Sequence, residues 1–473
     1  MLRITPRGKQ EEVMALPARG HLIVLGTAGS GKTTIALLRA AHLSNLPGNG
    51  KVLLVTFNRA LVQYMRGIIH SPSSKLVVEH YHKFARGYMD SDNVNKMPQR
   101  NGILGPGKKA HYIEQAVEEL KKLYPKESTL RRTKEFFIDE ITFIQRFGFA
   151  NLDAYCEAER IGRASVRLTR ENRKWIFIAY QKYIELREAA GRKYDWDDLA
   201  FYVNNELQSD TNERRYTHII VDEGQDFSPM MIKSLVNAVR KGGSFTFFGD
   251  VAQQIYGSRL SWRDSGVNAD KVWRFDINYR NPATITAFAN DIIQSDYWQQ
   301  DDDMVTAINQ IAEGPKPILV SFENKSREIK WLVERAISTG KTSSTVIVCR
   351  SRAEIDSFIK ALSSRGCNAT EIDKDTPGYA HVKTVYLTTF HAAKGMEFDN
   401  VFVPFLSDDK FPDPDTVANA VSEDAAYADE IKLLYVAATR SKYGLYMTYS
   451  GTLTPLFPVE SDSYDSYGEE NEI

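Results

Sequence analysis

At 473 residues the chain exceeds what one hydrophobic core organises, so roughly two to four domains are expected. Its 42% hydrophobic and 26% charged residues are ordinary for a globular protein in water, and a formal net charge of -1 leaves no global electrostatic footprint for nucleic acid. Cys156, Cys349 and Cys367 are scattered without a C-x-x-C, which argues against disulfides, zinc or an iron–sulfur cluster, and no apolar run reaches membrane-spanning length; a cytoplasmic protein without membrane contact is expected.

Near the N-terminus the apolar run His21-Leu22-Ile23-Val24-Leu25 leads into Gly26-Thr27-Ala28-Gly29-Ser30-Gly31-Lys32-Thr33, followed by Thr34 and a helical pattern to Ala41. Strand, glycine-rich loop and helix in this order have the G-x-x-x-x-G-K-[ST] spacing of a phosphate loop. The glycines let successive N–H groups turn inward around a phosphate, and the helix N-terminus adds partial positive charge. Lys32 is then placed to reach the β- and γ-phosphates, and the Thr33 hydroxyl to ligate Mg²⁺. A nucleoside triphosphate is the expected ligand. Lys51 to Phe57 reads as a strand buried on both faces, Asn58 to Ile69 as a helix, and Leu76-Val77-Val78 as another strand. Strands alternating with helices predict a doubly wound parallel sheet, an α/β fold.

The pattern changes between about Asp90 and Arg192. After the loop Asn101 to Gly107 come amphipathic stretches at His111–Tyr124, Thr133–Phe147 and Arg170–Ala190, expected to form a helical insertion. Arg160, Arg163, Arg167, Arg170 and Lys174 recur at spacings of three and four; the stripe fits either a solvated face or one turned to nucleic acid. The α/β pattern resumes at Tyr216 to Val221, followed by Asp222-Glu223. Adjacent carboxylates at the C-terminal end of a strand beside a phosphate loop suit one task each: Asp222 holds Mg²⁺ and Glu223 activates the attacking water. Ser244 to Phe248 is a further strand ending at Gly249-Asp250. A second alternating set begins near Val272 and includes Ile318–Phe322, Thr345–Cys349, Lys383–Thr389 and Val401–Val403, without a phosphate loop of its own. The tail from Val459 carries acids and no bases and is expected to be disordered.

Taken in order, Thr56-Phe57-Asn58, Asp195-Trp196-Asp197-Asp198-Leu199, Val221 to Asp226, Gly249 to Gly257, Asn278-Tyr279-Arg280, Thr388 to Phe398 and Leu433 to Ser441 resemble the motifs of UvrD/Rep/PcrA-like superfamily 1A helicases over roughly Thr5 to Tyr449. The resemblance implies two RecA-like domains with ATP and Mg²⁺ in the cleft between them, a helical insertion in the first, and 3′-to-5′ movement on single-stranded DNA. Its domain plan assigns 1–89 and 194–275 to the first RecA-like domain, 90–193 to the insertion, 276–455 to the second domain and 456–473 to the tail. It also implies that Gln10 reads adenine, Tyr279 stacks on it and Glu397 touches the ribose. Arg280 and Arg440 become the γ-phosphate arginines and Gln253 the γ-phosphate sensor. For DNA it implies contacts from Phe57, Asn58, Tyr81, His82, Tyr256, Arg259, Thr389 and His391. Two departures stand out: Ser258-Arg259 follows I-Y-G where the family often has a tryptophan, leaving Trp262 as a substitute or a core residue. Only Asp373 to Val382 stands where the family has a large second-domain insertion, which favours translocation over processive unwinding. The partners expected are single-stranded DNA, its junctions with duplex, and a nuclease, repair or defence subunit. An ATP-gated DNA sensor and an RNA-directed motor remain the alternatives.

Overall fold

The computed structural model describes residues 5–48, 50–68, 73–88, 103–158, 168–210, 214–250, 252, 262, 265–298, 305–309, 313–372, 382–420, 422–459 and 461–470. Two parallel sheets organise it. In the first, the strands lie in the order Leu76–His80, Val52–Thr56, Tyr216–Val221, Val239–Gly249, Gly20–Gly26 and Val272–Phe275. The apolar run Val52-Leu53-Leu54-Val55 is fully buried because its side chains alternate between two cores. Leu53 and Val55 join Ile219, Val221, Phe245 and Phe247 on one face, while Val52 and Leu54 join Ile35, Leu61, Ile220 and Phe248 on the other. Helices therefore cover both faces, and all strands deliver their C-terminal ends to one edge.

The second sheet has the order Thr370–Glu371, Thr384–Thr389, Ser344–Cys349, Phe398–Val403, Ser441–Ser450, Ile318–Phe322 and Asp465–Gly468, also parallel throughout. Its strands likewise divide between two cores, with Val346, Val401 and Val403 on one face and Ile347, Leu387 and Phe402 on the other. The α/β class and the paired parallel sheets agree with the sequence reading.

The insertion packs Pro106–Leu123, Lys134–Phe147, Leu152–Glu157 and Arg170–Ala189 around a core of its own that includes Ile113, Phe137, Ile141, Tyr155, Ile176 and Tyr183. Its helix starts are fixed locally. Thr133 accepts from Phe136 N, and Thr169 and Asn172 form a capping box ahead of Arg170. Of the cation stripe, Arg160, Arg163 and Arg167 lie outside the described residues; Arg170 pairs with Asp153 and Lys174 with Glu171.

Two expectations need correction. Val272–Phe275 does not open the second sheet: it is the edge strand of the first, in register with Ile23 to Gly26. The tail is not disordered among its described residues, since Asp465–Gly468 adds a parallel strand to Ile318–Phe322. Leu456 and Phe457 are buried, Tyr464 packs on Phe288 and Phe457, and Lys316 and Arg327 answer Asp465 and Glu469. Counting charges alone misses partners supplied by a distant helix and strand.

Candidate nucleotide site and nucleic-acid surface

The strand Gly20–Gly26 ends where the loop begins, and the helix Lys32–Asn45 starts on its far side. Gly29 and Gly31 sit at φ of 72° and 80°, which a residue with a Cβ adopts only under strain. A Cβ at Gly29 would also come within 2.2 Å of Asn278 Oδ1 and 2.7 Å of Arg280 Cβ. Thr27, Ala28 and Ser30 are buried, with Ser30 Oγ donating to Thr27 O at 2.8 Å. Thr33 and Thr34 are half-buried in the first helical turn. The Lys32 ammonium folds back onto the loop, donating to Gly26 O at 2.9 Å and Thr27 O at 2.6 Å, with Asp250 at 3.4 Å. Gln10, on the helix Lys9–Ala15, donates from Nε2 to Ser30 O at 2.9 Å and so lies against this loop.

Asp222 follows the central strand Tyr216–Val221 and is wholly buried; its N–H donates to Val55 O. Burial and the adjacent Glu223 push its carboxyl up, and the Thr33 hydroxyl opposes that shift. Yet neither Asp222 oxygen has a hydrogen-bond partner of proper geometry. Two bare, buried carboxylate oxygens beside a threonine hydroxyl fit a hard divalent cation. Among the described residues no three His, Cys, Asp or Glu side chains gather into a metal centre, so such a cation would take its other ligands from water and phosphate. Glu223 is turned by a left-handed backbone, φ 54° and ψ 42°, and Gln225 Nε2 donates to its Oε2 at 2.6 Å. Burial pushes the Glu223 carboxyl up, but Lys394, Lys32 and Arg440 together outweigh it and hold it below the ordinary carboxylate range.

The second lobe reaches the loop directly. Tyr279 N donates to Gly29 O at 3.0 Å. Arg280 pairs with Glu397, which also holds Lys442 at 2.8 Å. Burial would raise the Glu397 carboxyl; Arg280 and Lys442 overcome it and bring it down to about 2. Arg440 is 1% exposed and donates to Val436 O and the Thr439 hydroxyl; burial and nearby Arg280 lower its guanidinium to about 10. Asn278 Oδ1 accepts from the N–H groups of Arg280 and Asn281, while the Asn281 amide donates to Thr439 O and Ser441 O, tying both arginine segments together. Lys394 was missed from sequence. It pairs with buried Asp226 across the lobes, and its carbonyl accepts from Asn58 Nδ2 at 3.2 Å. Gln253 lies outside the described residues, as do Tyr256, Arg259 and 373–381.

At the same edge of the first sheet, Phe57 and His82 meet edge to face at 5.3 Å, and Trp196 adds a third ring 5.0 Å from His82. His82 is held down to about 4 by burial and by His80 and Arg59, so its imidazole is neutral near pH 7. Tyr81 is corrected: it is 0% exposed, its hydroxyl bonds Ser234 Oγ at 2.8 Å, and it serves the core instead of a DNA surface. At the start of the helix Tyr81–Arg86 the two neighbours diverge, Tyr81 turning into the core and His82 staying half-buried. Trp262 also belongs to packing, edge-on to Phe247 at 4.8 Å. Thr389 ends its strand and accepts from Ala392 N at 3.2 Å; His391 follows, held down to about 4 by burial and by Arg350 and Lys394. Trp196 was legible as an aromatic among acids, but only its packing on His82 sets it beside Phe57.

Buried carboxylates of the first lobe stand within electrostatic reach of Arg440 from the second, a layout that suits the class of nucleotide-driven machines built from two RecA-like domains. Comparison with known proteins narrows the class. The UvrD/REP helicase N-terminal domain model matches residues 7–270, and the UvrD-like helicase C-terminal domain model matches 273–377 and 368–452. The chain belongs to the UvrD/REP family of ATP-dependent DNA helicases. It is 24% identical to a "Probable DNA helicase" of Mycoplasma pneumoniae, covering 97% of this chain and 85% of that one. It is 28% identical to DNA helicase II of Haemophilus influenzae over 60% of this chain and 40% of that one, and 22% identical to DNA helicase IV of Escherichia coli over 91% and 66%. No described helix is long and apolar enough to cross a membrane.

Proposed function

We propose that the chain hydrolyses ATP with Mg²⁺ between its two lobes and converts the cycle into 3′-to-5′ movement along single-stranded DNA. The observation that carries this reading is the meeting of the two lobes at the phosphate loop, where Tyr279 N donates to Gly29 O and cations of the second lobe, Lys394 and Arg440, act with Lys32 to lower the Glu223 carboxyl of the first. A general base whose surrounding cations come from both lobes feels a field that changes as they part.

When nucleotide binds, Lys32 exchanges loop carbonyls for the β- and γ-phosphates, and Thr33 and Asp222 hold the cation. A Mg²⁺ held by Thr33 and Asp222 would supply neutralisation of the charge on the phosphates. Glu223 takes the proton of the attacking water. Arg280 leaves Glu397 for the γ-phosphoryl oxygens, and Arg440 joins it; such a finger contributes about 10³–10⁵ in rate. Glu397, released from Arg280 but still paired with Lys442, is free to meet the ribose. Phe57, His82 and Trp196 offer ring surfaces to bases, worth about 1–3 kcal/mol per stacked base and indifferent to sequence. The polarity rests on the motif resemblance.

The test is ATP turnover with and without oligothymidylate, then displacement of strands from duplexes carrying a 3′ or a 5′ tail. Stimulation by DNA with displacement only on the 3′-tailed substrate is expected, and Lys32→Ala should abolish both. Turnover indifferent to DNA, or displacement only from the 5′ tail, would overturn the proposal.

A further inference from the structure

A buried cluster of charge joins the helical insertion to the turn that carries Trp196. Asp195, Asp197 and Asp198 supply the carboxylates, and Lys109, Arg146 and Arg187, all on insertion helices, supply the cations. Lys109 Nζ donates to Asp197 Oδ2 at 2.7 Å and to Gln145 Oε1 at 2.6 Å. Gln145 Nε2 donates in turn to Asp195 Oδ2 at 2.7 Å, and the Tyr183 hydroxyl reaches the same oxygen at 2.6 Å. Arg187 bridges Asp195 at 3.2 Å and Asp198 at 2.5 Å. Asp195 and Arg187 are 0% exposed and Lys109 is 4% exposed. Within the turn, Asp195 Oδ1 accepts from the N–H groups of Asp197 and Asp198.

Desolvation cancels most of what such a cluster gains by attraction, so its stabilising effect is small while its geometric demand is strict. What it fixes here is the turn 195–198, which carries Trp196. Trp196 is flanked by locked aspartates, and its indole lies edge-on against His82 next to Phe57.

We infer that Lys109, Gln145 and Arg187 are positioning residues that hold Trp196 as the third ring of the base platform, so that the helical insertion sets the first lobe's affinity for single-stranded DNA. The inference rests on the DNA reading above. None of these residues touches the phosphate loop or the arginines, so hydrolysis in the absence of DNA is unaffected.

Binding of a fluorescent oligothymidylate to the full chain, read by anisotropy without nucleotide, tests it. Trp196→Ala should weaken binding by roughly tenfold, the loss of one stacked base. Lys109→Met should weaken it several-fold, Lys109→Arg should restore it, and the Lys109→Met, Trp196→Ala double variant should bind no worse than Trp196→Ala alone. A Lys109→Met loss that persists undiminished on the Trp196→Ala background, or wild-type binding by Lys109→Met, overturns the inference. If circular dichroism finds Lys109→Met unfolded, the same cycle is run with Arg146→Gln. That rim cation is 30% exposed and pairs with Asp197 at 2.9 Å, and the same outcomes decide. A wild-type chain that binds no oligonucleotide overturns the DNA reading and this inference together; independent losses in the cycle overturn this inference alone.

Discussion

Glu397 illustrates how a single side chain can serve two arrangements. It holds Arg280 and Lys442 at once, and its carboxyl is brought down to about 2 from a usual value near 4.5. A carboxylate depressed in the folded state stabilises the fold above its unfolded pKa, and that contribution disappears as pH falls from about 4.5 to about 2. Glu397→Gln should therefore melt below wild type at pH 7, with the gap closing on acidification through that window. Because the group is partly exposed, solvent screening limits the gap to about 1–2 kcal/mol. A gap that does not change with pH would mean the two cations are not what hold this carboxyl. At this scale the sequence was most informative where a motif carries its own geometry, as in Gly29, Lys32 and Asp222. It was least informative for Lys394, because a lysine in A-A-K-G-M resembles any surface cation until Asp226 is placed beside it from 168 positions away.

Elements were legible where periodicity was long. The insertion helices and the buried strands of both sheets follow from apolar spacing, because tertiary packing and local preference agree there. Short edge strands are different. Val272–Phe275 and Asp465–Gly468 are each four residues long and owe their state to an open neighbouring edge, which no local pattern records. Removing residues 461–473 should strip one of the two strand partners from Ile318–Phe322, leaving Ser441–Ser450, and the Tyr464 ring from Phe288 and Phe457. A loss of about 1–2 kcal/mol is expected, or roughly 2–8 °C in the thermal midpoint, with more aggregation through the uncovered edge. DNA-stimulated turnover per folded molecule should stay as it was, since this edge carries none of the nucleotide-binding groups.

For the whole molecule, the decisive contacts are few and cross between lobes: Tyr279 N to Gly29 O, Asn58 Nδ2 to Lys394 O, and the Lys394–Asp226 pair. Asn58 follows Phe57, the ring that meets His82, whereas Asp226 ends the segment that starts at Asp222. Lys394 therefore touches both the segment after Phe57 and the turn after Asp222, which the proposed function assigns to DNA and to hydrolysis. Lys394→Met should leave ATP affinity within about threefold while DNA-stimulated hydrolysis falls by about 10²-fold, as expected when a general base loses its ionising field. Measuring a fluorescent ATP analogue and turnover side by side separates the two; an equal loss in both would make Lys394 a simple binding residue. The motif resemblance implied a shared cleft between the lobes, but contacts such as Lys394–Asp226 were left open, because no pattern within either half encodes them.

Lys32 rests on Gly26 O, Thr27 O and Asp250. On the proposed function, an incoming phosphate competes with these ready-made acceptors, and the net gain on capture is a difference between two well-coordinated arrangements. The same feature eases the opposite event: as inorganic phosphate departs, the ammonium has a place to return to without waiting for solvent. A motor that must fire repeatedly benefits from a grip that is easily undone.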